Sequence, residues 1–189
     1  MTSLLRRGLN VNLASVNYRL SPTVKHPSHR DDVIAALKYL NTRYGMKEYV
    51  LVGHSAGACL AFQTHDAVTG CVGVVGVEGI YDLTELVEEY PDYESFVQEA
   101  FSSERVVWKE ASPTYIVRER GLSSKLTVLL VQSREDELLG PRQTETMFKV
   151  LQQTKATIKD IAWIHSSHDM SITTPTFHHL IYNFITTLT

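Results

Sequence analysis

Acidic residues are missing from the start of the chain: residues 1–30 carry Arg6, Arg7, Arg19, Lys25 and Arg30 and neither Asp nor Glu. Targeting peptides share that bias. Here Val11 to Tyr18 already clusters apolar residues as a strand does, so folded structure is expected to begin almost at once. Cysteine is scarce. Cys59, on a helical pattern, and Cys71, at the head of an apolar strand, read as packed thiols of a reducing compartment rather than a disulfide. No apolar run approaches the ~20 residues that cross a bilayer. A net charge of -3 and a pI near 6.2 leave no basic footprint for nucleic acid. Internal repeats and low-complexity tracts are also missing. These absences leave a soluble, cytoplasmic single domain over 1–189, and 189 residues with 43% hydrophobic content suffice for a substantial core.

The most informative stretch that is present runs from Glu48 to Ala61. An apolar, β-branched segment, Tyr49 to Val52, ends at Gly53, and a small-residue helical pattern starts at Ala56. Between them Gly53-His54-Ser55-Ala56-Gly57 fits G-x-S-x-G, a nucleophile elbow. Neighbours without side chains let the backbone bend sharply and the serine hydroxyl stand clear. Ser55 is the expected nucleophile, and the N–H of Ala56, at the helix start, is the expected oxyanion donor.

Upstream, Met1 to Leu9 reads as a helix tail and Val11 to Tyr18 as a strand. Ser28 with Asp31 suggests a capping box for a helix that buries Val33, Ile34, Leu37, Leu40 and Tyr44 and closes at Gly45. Downstream, Cys71 to Val77 is a continuous apolar run, as in a parallel strand buried on both faces. Residues 79–120 change character, with the acidic and aromatic stretch Glu88 to Phe96, and predict short helices above the sheet in a cap-like excursion. The aromatics there either line a pocket or pin the excursion to the body. Strand, helix, strand and helix are then expected at Lys125 to Val131, Pro141 to Thr154, Thr157 to Ile164 and Thr176 to Leu188. Such alternation predicts a parallel sheet with helices on both faces.

A serine hydroxyl needs a base, and the base needs an orienting acid. After this elbow the partners follow in the order acid, then histidine. Asp136, in Ser133-Arg134-Glu135-Asp136-Glu137 just past a strand, is preferred over Glu135 and Glu137. His168, in the loop after the last strand, is preferred over His165. A metal held by His165, His168 and Asp169 lacks an upstream ligand, so none is expected. His54 reads as a variable elbow position, and His26, His29, His65, His178 and His179 as surface or helix-face residues.

Several runs together resemble the fungal kynurenine formamidases, α/β-hydrolases of tryptophan breakdown. They are Tyr18-Arg19-Leu20-Ser21-Pro22, the elbow, Gly79-Ile80-Tyr81-Asp82-Leu83, Glu89-Tyr90-Pro91 with Tyr93 and Phe96, Asp136-Glu137-Leu138-Leu139, Arg142-Gln143-Thr144 and His168-Asp169. The resemblance runs from about Val11 to the C-terminus. It implies hydrolysis of N-formyl-kynurenine to kynurenine and formate by Ser55, His168 and Asp136, with no metal and no organic cofactor. Two other readings stand beside it: a small-ester carboxylesterase, and a non-catalytic hydrolase-like protein that binds a ligand or a partner chain.

The family's His-Gly-Gly-x-Trp segment, which supplies the rest of the oxyanion hole, has no counterpart in residues 1–47. The expected fold is therefore α/β-hydrolase-like but lacks the N-terminal strands. Without the strand that carries this segment, Val11 to Tyr18 and the elbow strand would stand about 9–10 Å apart instead of about 4.8 Å. Either the first strand shifts to pair with the elbow strand, or the sheet opens, or a second chain supplies the strand, as in a homodimer.

Overall fold

A computed structural model describes residues 11–188. In chain order the elements are α1 (Ser28–Tyr44), β1 (Tyr49–His54), α2 (Ala56–Thr64), β2 (Cys71–Val77), α3 (Leu83–Glu89), α4 (Glu94–Ala100), α5 (Arg105–Ala111), α6 (Pro113–Arg120), β3 (Thr127–Ser133), α7 (Arg142–Leu151), β4 (Thr157–Ile158), β5 (Ala162–Ile164) and α8 (Pro175–Thr186). Short 3-10 turns cover Pro91–Tyr93 and His168–Thr173.

All strand pairs are parallel: β1 lies beside β2, β2 beside β3, and β4 and β5 each pair with a different part of β3. The single strand expected from Thr157 to Ile164 is thus interrupted. Alternation of side chains along β2 and β3 builds two apolar layers. Val74, Val128 and Leu130 face Phe62 of α2, Val117 of α6 and Met147 of α7. Val75, Val77, Leu129 and Val131 face Phe177, Ile181 and Phe184 of α8. Each fully buried side chain of this size contributes about 1.5–3 kcal/mol. Both layers depend on the strands being apolar throughout, which is why β2 and β3 read as unbroken hydrophobic runs.

The segment before α1 departs from expectation. Residues 11–20 form no strand. Val16 and Tyr18 instead pack against Val33 and Leu37 of α1 and Leu60 of α2. Arg19 clamps Asp32 with hydrogen bonds of 2.8 and 2.9 Å, which hold its carboxyl down at about 2. A strand needs a neighbouring backbone to pair with, and among the described residues this segment pairs with none. Burial of the apolar side chains on helices is the alternative that remains. The outer edge of β1 accordingly has no partner strand among the described residues, and Val52 is 42% exposed. The helix tail expected at Met1 to Leu9 lies outside those residues.

The capping box is also absent. Pro27 is the N-cap of α1, Ser28 is already helical, no side chain caps the end, and Asp31 pairs with Arg30. Gly45 closes α1 with φ +63, a left-handed conformation that glycine adopts without strain.

Residues 83–120 form α3 to α6, with a shared core of Leu83, Leu86, Val87, Val97 and Trp108 that meets Cys59 of α2. The Asp82 carboxylate caps α3 by accepting from the N–H groups of Thr84 and Glu85. Two aromatics of this region fasten it to the loop after β3. The Tyr90 hydroxyl accepts from Gly140 N–H at 2.8 Å, and the Tyr93 hydroxyl donates to Leu138 O at 3.1 Å.

Candidate active site

Ser55 stands between β1 and α2 with φ 55 and ψ -121. A serine at positive φ costs of order 1–3 kcal/mol and persists only where its surroundings hold it. Its N–H donates to Val77 O at 2.9 Å, and its carbonyl accepts from Ala58 at 3.0 Å and Ile80 at 3.3 Å. A side chain at Gly53 would collide with the backbone of Gly57, so the tight turn requires glycine there. Gly57 differs, because a Cβ on it would meet nothing within 4 Å among the described residues. No backbone acceptor among the described residues takes the N–H of Ala56, and Ala56 is exposed.

On the other side of the site Asp136 and His168 come together, with His168 Nδ1 2.9 Å from Asp136 Oδ2 and both side chains buried. The second carboxylate oxygen of Asp136 accepts from Leu138 N–H at 2.9 Å and Leu139 N–H at 2.8 Å. Gln132 Nε2 spans Asp136 Oδ2, Ser133 O and Leu139 O, and its own carbonyl accepts from Thr144 at 2.7 Å. The Ser133 hydroxyl donates to Ser166 O and accepts from Ser166 N–H, which joins the acid loop to the histidine loop. Glu135 goes elsewhere, to an exposed pair with His165 at 3.1 Å. Glu137 accepts from the backbone N–H of His168 at 3.0 Å. Among the described residues no hydrogen bond joins Ser55 Oγ to His168; such bonds commonly tighten only when substrate binds.

The other family-like runs act as scaffold. Gln143 Oε1 accepts from the N–H groups of Tyr81 and Asp82, both at 2.8 Å, while Arg142 pairs with Glu85 at 3.0 Å. These bonds fix the turn after β2 beside the elbow.

Two residues escaped the sequence reading, a buried Glu78 and a half-buried His54. Glu78, the residue after β2, has φ 45 and no exposed surface. Its Oε2 lies 3.2 Å from His54 Nε2 and 3.7 Å from His168 Nδ1, and its Oε1 accepts from Ser171 Oγ at 2.6 Å. His54 is therefore not a free elbow position: its ring centroid lies 4.5 Å from that of His168. The only signal in the sequence was an acid ending an apolar strand without a break. His54, Glu78 and His168 hold ligand atoms within 4.8 Å of one another, so His168 does have upstream neighbours of the kind a metal site uses. His29 and His65 are likewise buried, not superficial: His29 lies against Ser21 and His65 against the Phe62 carbonyl.

Beside Ala56 opens a cavity of about 300 Å³, lined by Tyr18, His26, Ile80, Phe96 and Phe101 among others. A second hollow of about 400 Å³ includes Asp136 but neither Ser55 nor Ala56. His26 stacks on Phe101 at 5.2 Å, and burial lowers it to about 4, so its ring stays neutral at pH 7. Burial pushes the Cys59 thiol up to about 12, which removes it as a competing nucleophile.

The elbow at a strand-to-helix turn, the acid and histidine loops following β3 and β5, and the parallel sheet beneath them define an α/β hydrolase. Residues 2–170 match the alpha/beta hydrolase fold family model. Solved structures agree in fold. A carbohydrate esterase from gut microbiota, solved in a truncated form, superposes with a TM-score of 0.75 at 17% identity, covering 92% of this chain and 73% of that one. An acetyl ester-xyloside bifunctional hydrolase from Caldicellulosiruptor lactoaceticus gives 0.69 at 16% identity, covering 91% and 70%.

Within that class the chain belongs to the fungal kynurenine formamidase family. A kynurenine formamidase of Scheffersomyces stipitis is 30% identical over 183 residues, covering 79% of this chain and 68% of the relative. That of Meyerozyma guilliermondii is 38% identical over 154 residues, covering 75% and 60%. A kynurenine formamidase-like hydrolase of Fusarium equiseti is 32% identical over 170 residues, covering 74% and 57%. The chain thus spans less than two thirds of the length of the last two relatives.

Proposed function

We propose that this chain carries the catalytic centre of a serine formamidase that hydrolyses N-formyl-L-kynurenine to L-kynurenine and formate. The observation that carries the reading is the buried Asp136–His168 pair at 2.9 Å, on the same rim of the sheet as the Ser55 elbow, in a chain of this family. Ser55 Oγ attacks the formyl carbon while His168 takes its proton at Nε2, and Asp136 accepts a hydrogen bond from Nδ1–H and holds the ring in that tautomer. The oxyanion of the tetrahedral intermediate meets the N–H of Ala56 at the start of α2. Collapse breaks the C–N bond, and His168 returns the proton to the departing aryl amine. Water then attacks the formyl ester on Ser55 with His168 again as base, and as the ester bond breaks His168 returns the proton to Ser55 Oγ and formate leaves. The sequence uses neither a metal nor an organic cofactor.

The aryl group suits the cavity beside Ala56, where Phe96, Phe101 and Ile80 offer apolar surface. Residues 79–120 act as a cap over that cavity within a single domain. The two cysteines are free, which fits a reducing cytoplasm, and no helix of the described residues is long and apolar enough to cross a membrane. The test is hydrolysis of N-formyl-kynurenine by the purified chain beside Ser55→Ala. Turnover that the substitution abolishes supports the reading. Turnover that survives it, or none from a folded wild type, refutes it for this chain.

A further inference from the structure

We propose that Glu78 is a positioning residue of this site: a second buried carboxylate that acts through His168 and, with His54, stabilises its charged form during proton transfer. The proposal rests on the reading that Ser55 and His168 perform the chemistry. Glu78 combines two costly features, a left-handed backbone on a side chain that is not glycine and a carboxylate with no exposed surface. Among the described residues no lysine or arginine pairs with it, and its ion-pair partners are the imidazoles of His54 and His168.

The geometry separates its role from that of Asp136. His168 Nδ1–H donates one hydrogen bond, and Asp136 at 2.9 Å accepts it. Glu78 Oε2 at 3.7 Å is too far to share that bond and close enough to add negative charge beside the ring. Ser171 Oγ at 2.6 Å and His54 Nε2 at 3.2 Å fix the carboxylate in place, and the His54 ring backs the His168 ring. When His168 takes the serine proton, its positive charge forms between two buried carboxylates instead of one. The groups that face this pair are His54 from the end of β1, Tyr81 from the turn after β2, Asp136 and Glu137 from the loop after β3, and Ser171 from the last 3-10 turn. Asp169, next in sequence to His168, is exposed to solvent.

Labelling of Ser55 by a fluorophosphonate probe, followed from pH 4 to pH 9, tests the role without the formamide substrate. Glu78→Gln keeps the shape and one acceptor oxygen for Ser171, turns the other into a donor and removes the charge. It is expected to slow labelling roughly 10- to 100-fold and to move the acid limb of the profile to lower pH. Glu78→Asp, which keeps the charge one methylene further back, gives an intermediate rate and an intermediate limb. Wild-type rate and limb in either folded variant overturn the proposal and leave the hydrolase reading standing. A folded wild type that stays unlabelled at Ser55 refutes that reading and the role of Glu78 with it.

Discussion

The two sides of the site are built on different principles. The histidine side is a closed polar network: Asp136, His168, Gln132, Thr144, Glu78 and Ser171 lie within hydrogen bonds of 2.6–3.4 Å of one another or of backbone. On the serine side Ser55 itself is held through backbone bonds, in a left-handed turn, with Ala56 exposed, Gly57 facing open space and β1 at the edge of the sheet among the described residues, and the side-chain tie is the one from His54 to Glu78. Placement of His168 and Asp136 therefore rests mainly on their own network, which meets the elbow through His54. Stabilisation of the oxyanion depends on what surrounds the nucleophile, because a site open to water weakens each donor that it offers.

That contrast can be broken from either side, and the size of each effect measures it. Ser55→Ala should lower formamidase turnover by about 10⁴-fold or more, read by steady-state kinetics, with little change in melting temperature because no side-chain bond is lost. Asp136→Asn should cost about 10³- to 10⁴-fold in kcat with KM nearly unchanged, since the ring loses its tautomer control and not its place. Gln132→Leu strikes the network without touching the reacting atoms. It strands the Thr144 hydroxyl and removes a donor from Asp136, so unfolding in urea should show a loss of about 1–3 kcal/mol with a smaller loss of activity.

The smallest effect belongs to the open side. His26 is neutral in the folded chain because burial lowers it to about 4, whereas the unfolded chain takes up the proton near 6.5. Its contribution is complete above pH 6.5 and is lost as pH falls toward 4, because the unfolded state then binds more protons. Half-buried and screened by water, this amounts to about 1–2 kcal/mol. Comparison of urea unfolding at pH 7 and pH 4.5 should show it, and His26→Phe should flatten it.

Local chemistry was legible in the sequence, and long-range pairing was not. The elbow announces itself because five consecutive residues must make one turn. Asp136 and His168 follow from their places after apolar strands, and the unbroken runs of β2 and β3 reveal a sheet buried on both faces. Val11 to Tyr18 has the composition of a strand and lies instead on α1 and α2, because pairing depends on a neighbour that composition does not reveal. Glu78 escaped for the same reason: its partners come from two distant places in the chain, His54 at the end of β1 and His168 with Ser171 in the last 3-10 turn. The family-like run Arg142-Gln143-Thr144 was visible, but its work, bracing Asp82 and Gln132, appears only in three dimensions.

The open rim of β1 bears on how firmly the turn that carries Ser55 is held. Among the described residues β2 and β3 are bonded on both flanks and β1 on one, so alternate amides along Tyr49–His54 should exchange with deuterated solvent far ahead of those in β2. Ser55 follows that strand directly, and each local opening of β1 loosens the turn that aims its hydroxyl. Any strand laid along this rim would slow that exchange and damp the opening, so the pace of catalysis would respond to occupancy of a sheet position that never touches substrate.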